Sequence, residues 1–171
     1  IRRLKVGYVS PDFRRHSVAF FIKPLLKAHN RERFEIYCYS DVLNPDTVTE
    51  QIQKKSDHWI VITGKKDADS IAQIKNDRID ILVDLTGYTD NNRLLMFAQK
   101  PAPVQVSWLG YPNTSGIRAI DYRFTDVIAD PVGDGDVLYS EELIRLQDGF
   151  LCYEPYEHAP DVSAPPCLQN D

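Results

Sequence analysis

Several features that would announce a function are scarce or missing in these 171 residues. No Gly-x-Gly-x-x-Gly follows the first strand-like segment, which counts against a dinucleotide on the first strand-to-helix turn, and there is no Walker-type loop. Only three cysteines occur, Cys38, Cys152 and Cys167, far apart and without CxxC spacing. A disulfide framework and a zinc site are therefore both disfavoured, and reduced thiols suit a cytoplasmic location. No run of about 18 apolar residues is present, so no membrane-spanning helix is expected. No signal peptide is visible. Positive charge is also short: the formal net charge is -5 and the pI about 5.4. That argues against a nucleic-acid partner held by phosphate neutralisation. The cluster Arg2, Arg3, Lys5, Arg14 and Arg15 is too small to reverse the balance and reads as a solvated edge.

What is present is ordinary globular composition, 43% hydrophobic and 26% charged, enough for one domain with a real core. Strand-like and helix-like segments alternate. Residues 4–10 (LKVGYVS) are short, apolar and β-branched, and stop at Pro11-Asp12. Ser17 is a plausible N-cap for a helix whose Phe20, Phe21, Leu25 and Ala28 recur at helical spacing, with Pro24 expected to kink or restart it. Residues 34–40 (FEIYCYS) predict a second strand, and 46–55 a short polar helix capped by Asp46. A third strand is predicted over 59–63, an amphipathic helix over 67–77, and a fourth strand over 79–85, whose nearly continuous apolar run suits burial on both faces. A helix over 92–99 and a fifth strand over 104–108 follow. Segments 119–125 and 143–146 are expected to be further short strands. From Glu154 the chain turns Pro-rich, which gives an expected lobe over 1–153 and a linker or tail over 154–171.

Strands separated by helical patterns indicate βαβ units. The expected fold is a Rossmann-like, doubly wound α/β sheet, mostly parallel. In such sheets ligands sit beyond the carboxyl ends of the strands, which points at loops beginning at Ser10, Asp41, Thr86 and Leu109. In the first of these, His16 is a candidate general base and Asp12, four residues upstream, could orient it; equally, Asp12 could be a turn residue and His16 a polar helix start. In the last, Gly110 and Gly116 permit close backbone approach and Tyr111 offers a stacking face, or the segment is simply turn-rich. Gly87 could bring backbone to a ligand or merely make a turn. His29, His58 and His158 are isolated and receive no catalytic role. Asp80 and Asp84 share a face of the fourth strand, where polar contacts explain them as well as chemistry does.

Several segments together resemble a known family. The run from Leu4 through Ser10-Pro11-Asp12-Phe13-Arg14-Arg15-His16 looks like the opening of the catalytic region of O-GlcNAc transferases and SPINDLY-type relatives. Residues 34–40 and 81–89 resemble that family's second and fourth strands. The run Pro101-Ala-Pro-Val-Gln-Val-Ser-Trp-Leu-Gly-Tyr-Pro-Asn-Thr-Ser-Gly116 is the most specific match. The resemblance implies one lobe of a GT-B glycosyltransferase that transfers a sugar with inversion, without a metal or other cofactor, from a nucleotide sugar to Ser or Thr of a protein. UDP-GlcNAc is the expected donor, with GDP-fucose, used by SPINDLY-type members, and glucose, used by others, as the alternatives. It implies His16 and Asp12 as catalytic residues. It also implies Leu109, Gly110, Tyr111 and Pro112, together with Thr114 and Gly87, as substrate-binding residues. Animal members carry a Thr and a second His where Val18 and Phe20 stand here. The partners implied are a second lobe, which supplies most nucleotide contacts and a catalytic Lys, and a protein acceptor; the fragment alone is expected to be inactive. A stand-alone Rossmann-like binding module, or an interaction domain without chemistry, is the alternative.

Overall fold

The computed structural model describes residues 2–156, 159–165 and 167. His158 and Pro166 of the Pro-rich tail lie outside the described residues. The chain forms β1 (Leu4–Ser10), α1 (Ser17–Ala28), β2 (Phe34–Ser40), α2 (Thr47–Gln53), β3 (His58–Val61), α3 (Asp67–Asp77) and β4 (Ile81–Asp84). It continues through α4 (Leu94–Phe97), β5 (Val104–Ser107), β6 (Tyr122–Thr125), a 3-10 turn (Asp134–Leu138) and β7 (Glu142–Arg145). All strands pair in parallel, in the order β3-β2-β1-β4-β5-β6-β7. The expected Rossmann-like α/β sheet is thus present, and wholly parallel.

The two faces follow from strand alternation. Val6, Tyr8, Ile36, Cys38, Val83 and Val106 point to the face covered by α1 and α2. Val9, Tyr37, Tyr39 and Leu82 point to the face covered by α3 and α4. Ile22 and Leu26 of α1 are fully buried, each contributing about 2 kcal/mol by leaving water.

Three details differ from expectation. The N-cap of α1 is His16, not Ser17: its backbone is extended and its Nδ1 accepts the Val18 N–H at 3.3 Å. Pro24 does not interrupt α1. A proline cannot donate to the carbonyl four residues back, and that carbonyl, Phe20 O, instead accepts the Glu154 N–H at 2.9 Å. Tyr153 and Tyr156 pack with tilted rings against Phe20, so this stretch, straddling the expected lobe boundary, lies on α1 as a strap. Helix α4 is a single turn, Leu94–Phe97, shorter than expected at both ends, and Arg93 just ahead of it is held in ion pairs.

Candidate functional site

β1 sends the chain to α1 on one face, while β4 sends it to α4 on the other. The two loops diverge, and the sheet opens between the carboxyl ends of β1 and β4. A cleft of about 260 Å³ lies there, lined among others by Asp12, Arg14, His16, Thr89, Leu109 and Gly110.

The loop after β1 is fastened at both ends. Asp12 N–H donates to Ser10 Oγ at 2.9 Å, and Asp41 N–H to the Ser10 carbonyl at 3.0 Å. Arg15 N–H donates to Asp46 Oδ2 at 2.7 Å, the same carboxylate that caps α2 through Val48 and Thr49. These N–H donors hold the Asp46 carboxyl below its usual range, against a burial effect in the other direction. The loop presents His16 with its side chain 38% exposed, and Nδ1 lies 3.7 Å from Asp12 Oδ2. That distance allows an ion pair with a protonated ring but is too long for a hydrogen bond. With Nδ1 accepting from Val18, a neutral ring carries its proton on Nε2.

The loops after β4 and β5 interlock. Asp84 is buried at the end of β4 and accepts the N–H groups of Thr86 at 3.1 Å and Gly87 at 2.8 Å. Burial pushes its pKa up to about 6, partly countered by those two donors. Gly87 has φ 59, and a Cβ there would sit 2.3 Å from Tyr111 Cβ. A Cβ on Gly110 would meet the Leu85 carbonyl at 2.2 Å and Thr86 Cα at 2.6 Å. Both glycines therefore serve the contact between the loops. Leu109 adopts φ 80 in a tight turn closed by Gly110 N–H to the Trp108 carbonyl at 3.0 Å. A left-handed leucine is strained, and strain of this kind collects at functional sites.

Asp12, His16, Leu109 and Gly110 thus come together in the cleft, whereas Gly87, Tyr111, Pro112 and Thr114 do not line it. Tyr111 packs edge-on against Tyr88, and its carbonyl accepts Arg123 Nη1 at 2.8 Å. Pro112 is exposed. Thr114 donates to Glu141 Oε2 at 2.7 Å, and Glu141 also holds Ser115 through its N–H at 2.8 Å. Arg123 and Glu141 brace this loop from β6 and from just before β7; Glu141 ends the Tyr139-Ser-Glu segment that matches the family, whereas Arg123 carries no motif signal.

Arg93 is a second residue that periodicity could not reveal. Its guanidinium, 17% exposed, binds both oxygens of Asp41 at 2.7 and 3.0 Å and Asp67 at 2.8 Å. It also donates to the carbonyls of Lys65 at 3.0 Å and Ile62 at 3.3 Å. One side chain so ties together the loops after β2, β3 and β4. Among the described residues no group of three or more His, Cys, Asp or Glu could hold a metal ion. Among the described residues no helix is long and apolar enough to cross a membrane. Cys38, Cys152 and Cys167 are free thiols.

A parallel sheet opened at its switch point, with a histidine-capped helix on one lip, defines a Rossmann-like α/β lobe. The comparisons make the class specific. Residues 1–160 match the family described as Glycosyl transferase family 41, and the chain belongs to that family. It is 44% identical over 173 aligned residues to a probable UDP-N-acetylglucosamine–peptide N-acetylglucosaminyltransferase SPINDLY of Petunia hybrida, covering 99% of this chain and 18% of that protein. It is 38% identical to a UDP-N-acetylglucosamine–peptide N-acetylglucosaminyltransferase of Caenorhabditis elegans, over 88% of this chain and 13% of that protein. A solved structure of a Thermobaculum terrenum O-GlcNAc transferase mutant superposes with a TM-score of 0.87 at 42% identity, covering 91% of this chain and 30% of that one. The chain spans less than a fifth of the length of these two curated relatives.

Proposed function

We propose that this chain is the first α/β lobe in the catalytic region of a longer GT-B protein O-glycosyltransferase. It takes part in inverting transfer of a sugar from a nucleotide sugar to Ser or Thr hydroxyls. UDP-GlcNAc is the proposed donor, since one curated relative above is named a UDP-N-acetylglucosamine–peptide transferase and the other a probable one. The observation that carries the reading is the meeting of Asp12, Arg14 and His16 with Leu109 and Gly110 in one cleft at the switch point. A second lobe of the parent chain closes over that cleft and brings the lysine and most of the nucleotide site. The proposed reaction uses no metal or cofactor, and the proposed setting is cytoplasmic.

In this reaction the acceptor oxygen attacks the anomeric carbon, the bond from that carbon to the pyrophosphate oxygen breaks, and the acceptor proton goes to a base. His16 can do one of two jobs. With Nδ1 accepting from Val18, Nε2–H donates a hydrogen bond to a substrate oxygen. For His16 to act as the base, the ring must give up the Val18 contact and take the other tautomer, with the proton on Nδ1 facing Asp12 and a lone pair on Nε2. Asp12 is the proposed residue that selects this second tautomer. In the full-length protein, His16→Ala is expected to cut transfer by about 10²- to 10⁴-fold with the fold intact. Asp12→Asn should lower kcat while leaving donor affinity nearly unchanged. Undiminished transfer by His16→Ala would remove His16 from the mechanism.

A further inference from the structure

The loop that carries Leu109 and Gly110 into the cleft is held in two halves. The far half, Thr114 and Ser115, hangs on Glu141. The near half hangs on Arg123. This residue lies in register with Ser107 at the end of β5, two residues before the left-handed Leu109. Strand alternation sends its neighbours Tyr122 and Phe124 to the α1 face and Arg123 to the other, where only 3% of its surface stays exposed. Its Nη1 donates to the Tyr111 carbonyl at 2.8 Å and to the Asn113 carbonyl at 3.2 Å.

A cation is a costly choice at a buried strand position, and little offsets it here. The Asp130 carboxylate comes no nearer than 4.0 Å to Nε, too far for a hydrogen bond. Nε itself is buried without a hydrogen-bond partner among the described residues. Asp130 does not depend on the guanidinium, because its two oxygens accept from the hydroxyls of Thr125 and Tyr139. Nor do the two carbonyls, since Tyr111 is half-buried and Asn113 exposed, so that water can serve them. For stability alone, an apolar side chain of similar length would do as well or better. What the guanidinium adds is geometry. One planar group reaching two carbonyls fixes the path of the chain just after the strained turn at Leu109.

We propose that Arg123 is a positioning residue for the transfer reaction, setting Leu109 and Gly110 opposite Asp12 and His16 through the Tyr111 and Asn113 carbonyls, at a cost in stability. The proposal rests on the transferase reading above and adds to its machinery a residue that does not line the cleft.

The test compares Arg123→Met and Arg123→Lys with the unsubstituted full-length protein. It reads kcat, KM for a peptide acceptor and for the nucleotide sugar, the unfolding temperature, and hydrogen exchange over residues 108–116. Arg123→Met is expected to leave the unfolding temperature unchanged or raised and to speed exchange in that segment. It should lower kcat about 10- to 100-fold, with both KM values within about twofold. Arg123→Lys, which keeps a donor for one carbonyl, should recover part of the lost kcat. A fall in kcat matched by a fall in unfolding temperature would overturn the proposal and leave Arg123 a structural residue only. An unchanged kcat would overturn it as well, and so would a rise in KM alone, which would give Arg123 to substrate binding. Unchanged exchange in Arg123→Met would show that Arg123 does not hold the loop, whatever the reaction. Failure of the unsubstituted protein to transfer any sugar would instead overturn the transferase reading on which the proposal rests.

Discussion

From β3 to β5 the sheet carries helices on both faces, whereas β5, β6 and β7 follow one another with no α-helix between them. The difference shows in what is left exposed. Buried side chains fill both faces of β1, β2 and β4. Around β6 and β7, Val127, Ile128, Val132, Val137 and Leu138 are all more than half exposed. The face of β6 that α1 would otherwise share is met only by the strap, with Trp108 Nε1–H donating to the Phe150 carbonyl at 2.8 Å and an apolar groove of about 370 Å³ beneath. The first region closes on itself; the second keeps apolar surface outside, as a part of a larger assembly does.

Core substitutions should separate the two regions most strongly. Leu26→Ala, at a fully buried site on α1, should cost about 3 kcal/mol of unfolding free energy. Ile128→Ala, 89% exposed, should change the stability of this chain by less than about 0.5 kcal/mol. Equal costs in denaturant titrations would break the comparison. Arg93→Met should be nearly as severe as the Leu26 change, about 3 kcal/mol, because it strands Asp41 and Asp67 beside one another. A cost near zero would mean that solvent already screens the cluster.

Two paired substitutions sharpen the picture. Gly110→Ala drives a methyl into the Leu85 carbonyl and should cost about 2 kcal/mol, while Gly135→Ala, with open space around it, should cost almost nothing. Asp84 gives a smaller effect that depends on pH. Its pKa, raised by burial to about 6, lies above the unfolded value, so the native state holds the proton longer. Its contribution is present at low pH and is lost as pH rises from about 4 through 6. Asp84→Asn should flatten that part of the stability profile; an unchanged slope would show that the carboxyl titrates normally.

Much of the first region was legible because strand and helix alternation is a local pattern. The runs at β1, β2 and α3 begin and end where composition changes. The Asp46 cap was legible too, since one side chain serves the N–H groups beside it. Pro24 misled because its remedy, the Glu154 N–H, lies 130 residues away along the chain. The site divides the same way. The loop after β1 announced Asp12 and His16, but that Gly87 and Gly110 pack on each other's loops depends on a long-range contact no spacing displays. Arg93, Arg123 and Glu141 act by reaching across strands, which periodicity does not record.

The most direct test of the account is a calorimetric titration of UDP-GlcNAc into this chain and, in parallel, into the full-length protein that carries it. Binding by the full-length protein alone is the predicted result, placing the working site between this lobe and the remainder of its parent. Equal affinity for the isolated chain would contradict the account, because the cleft at β1 and β4 would then hold the donor unaided.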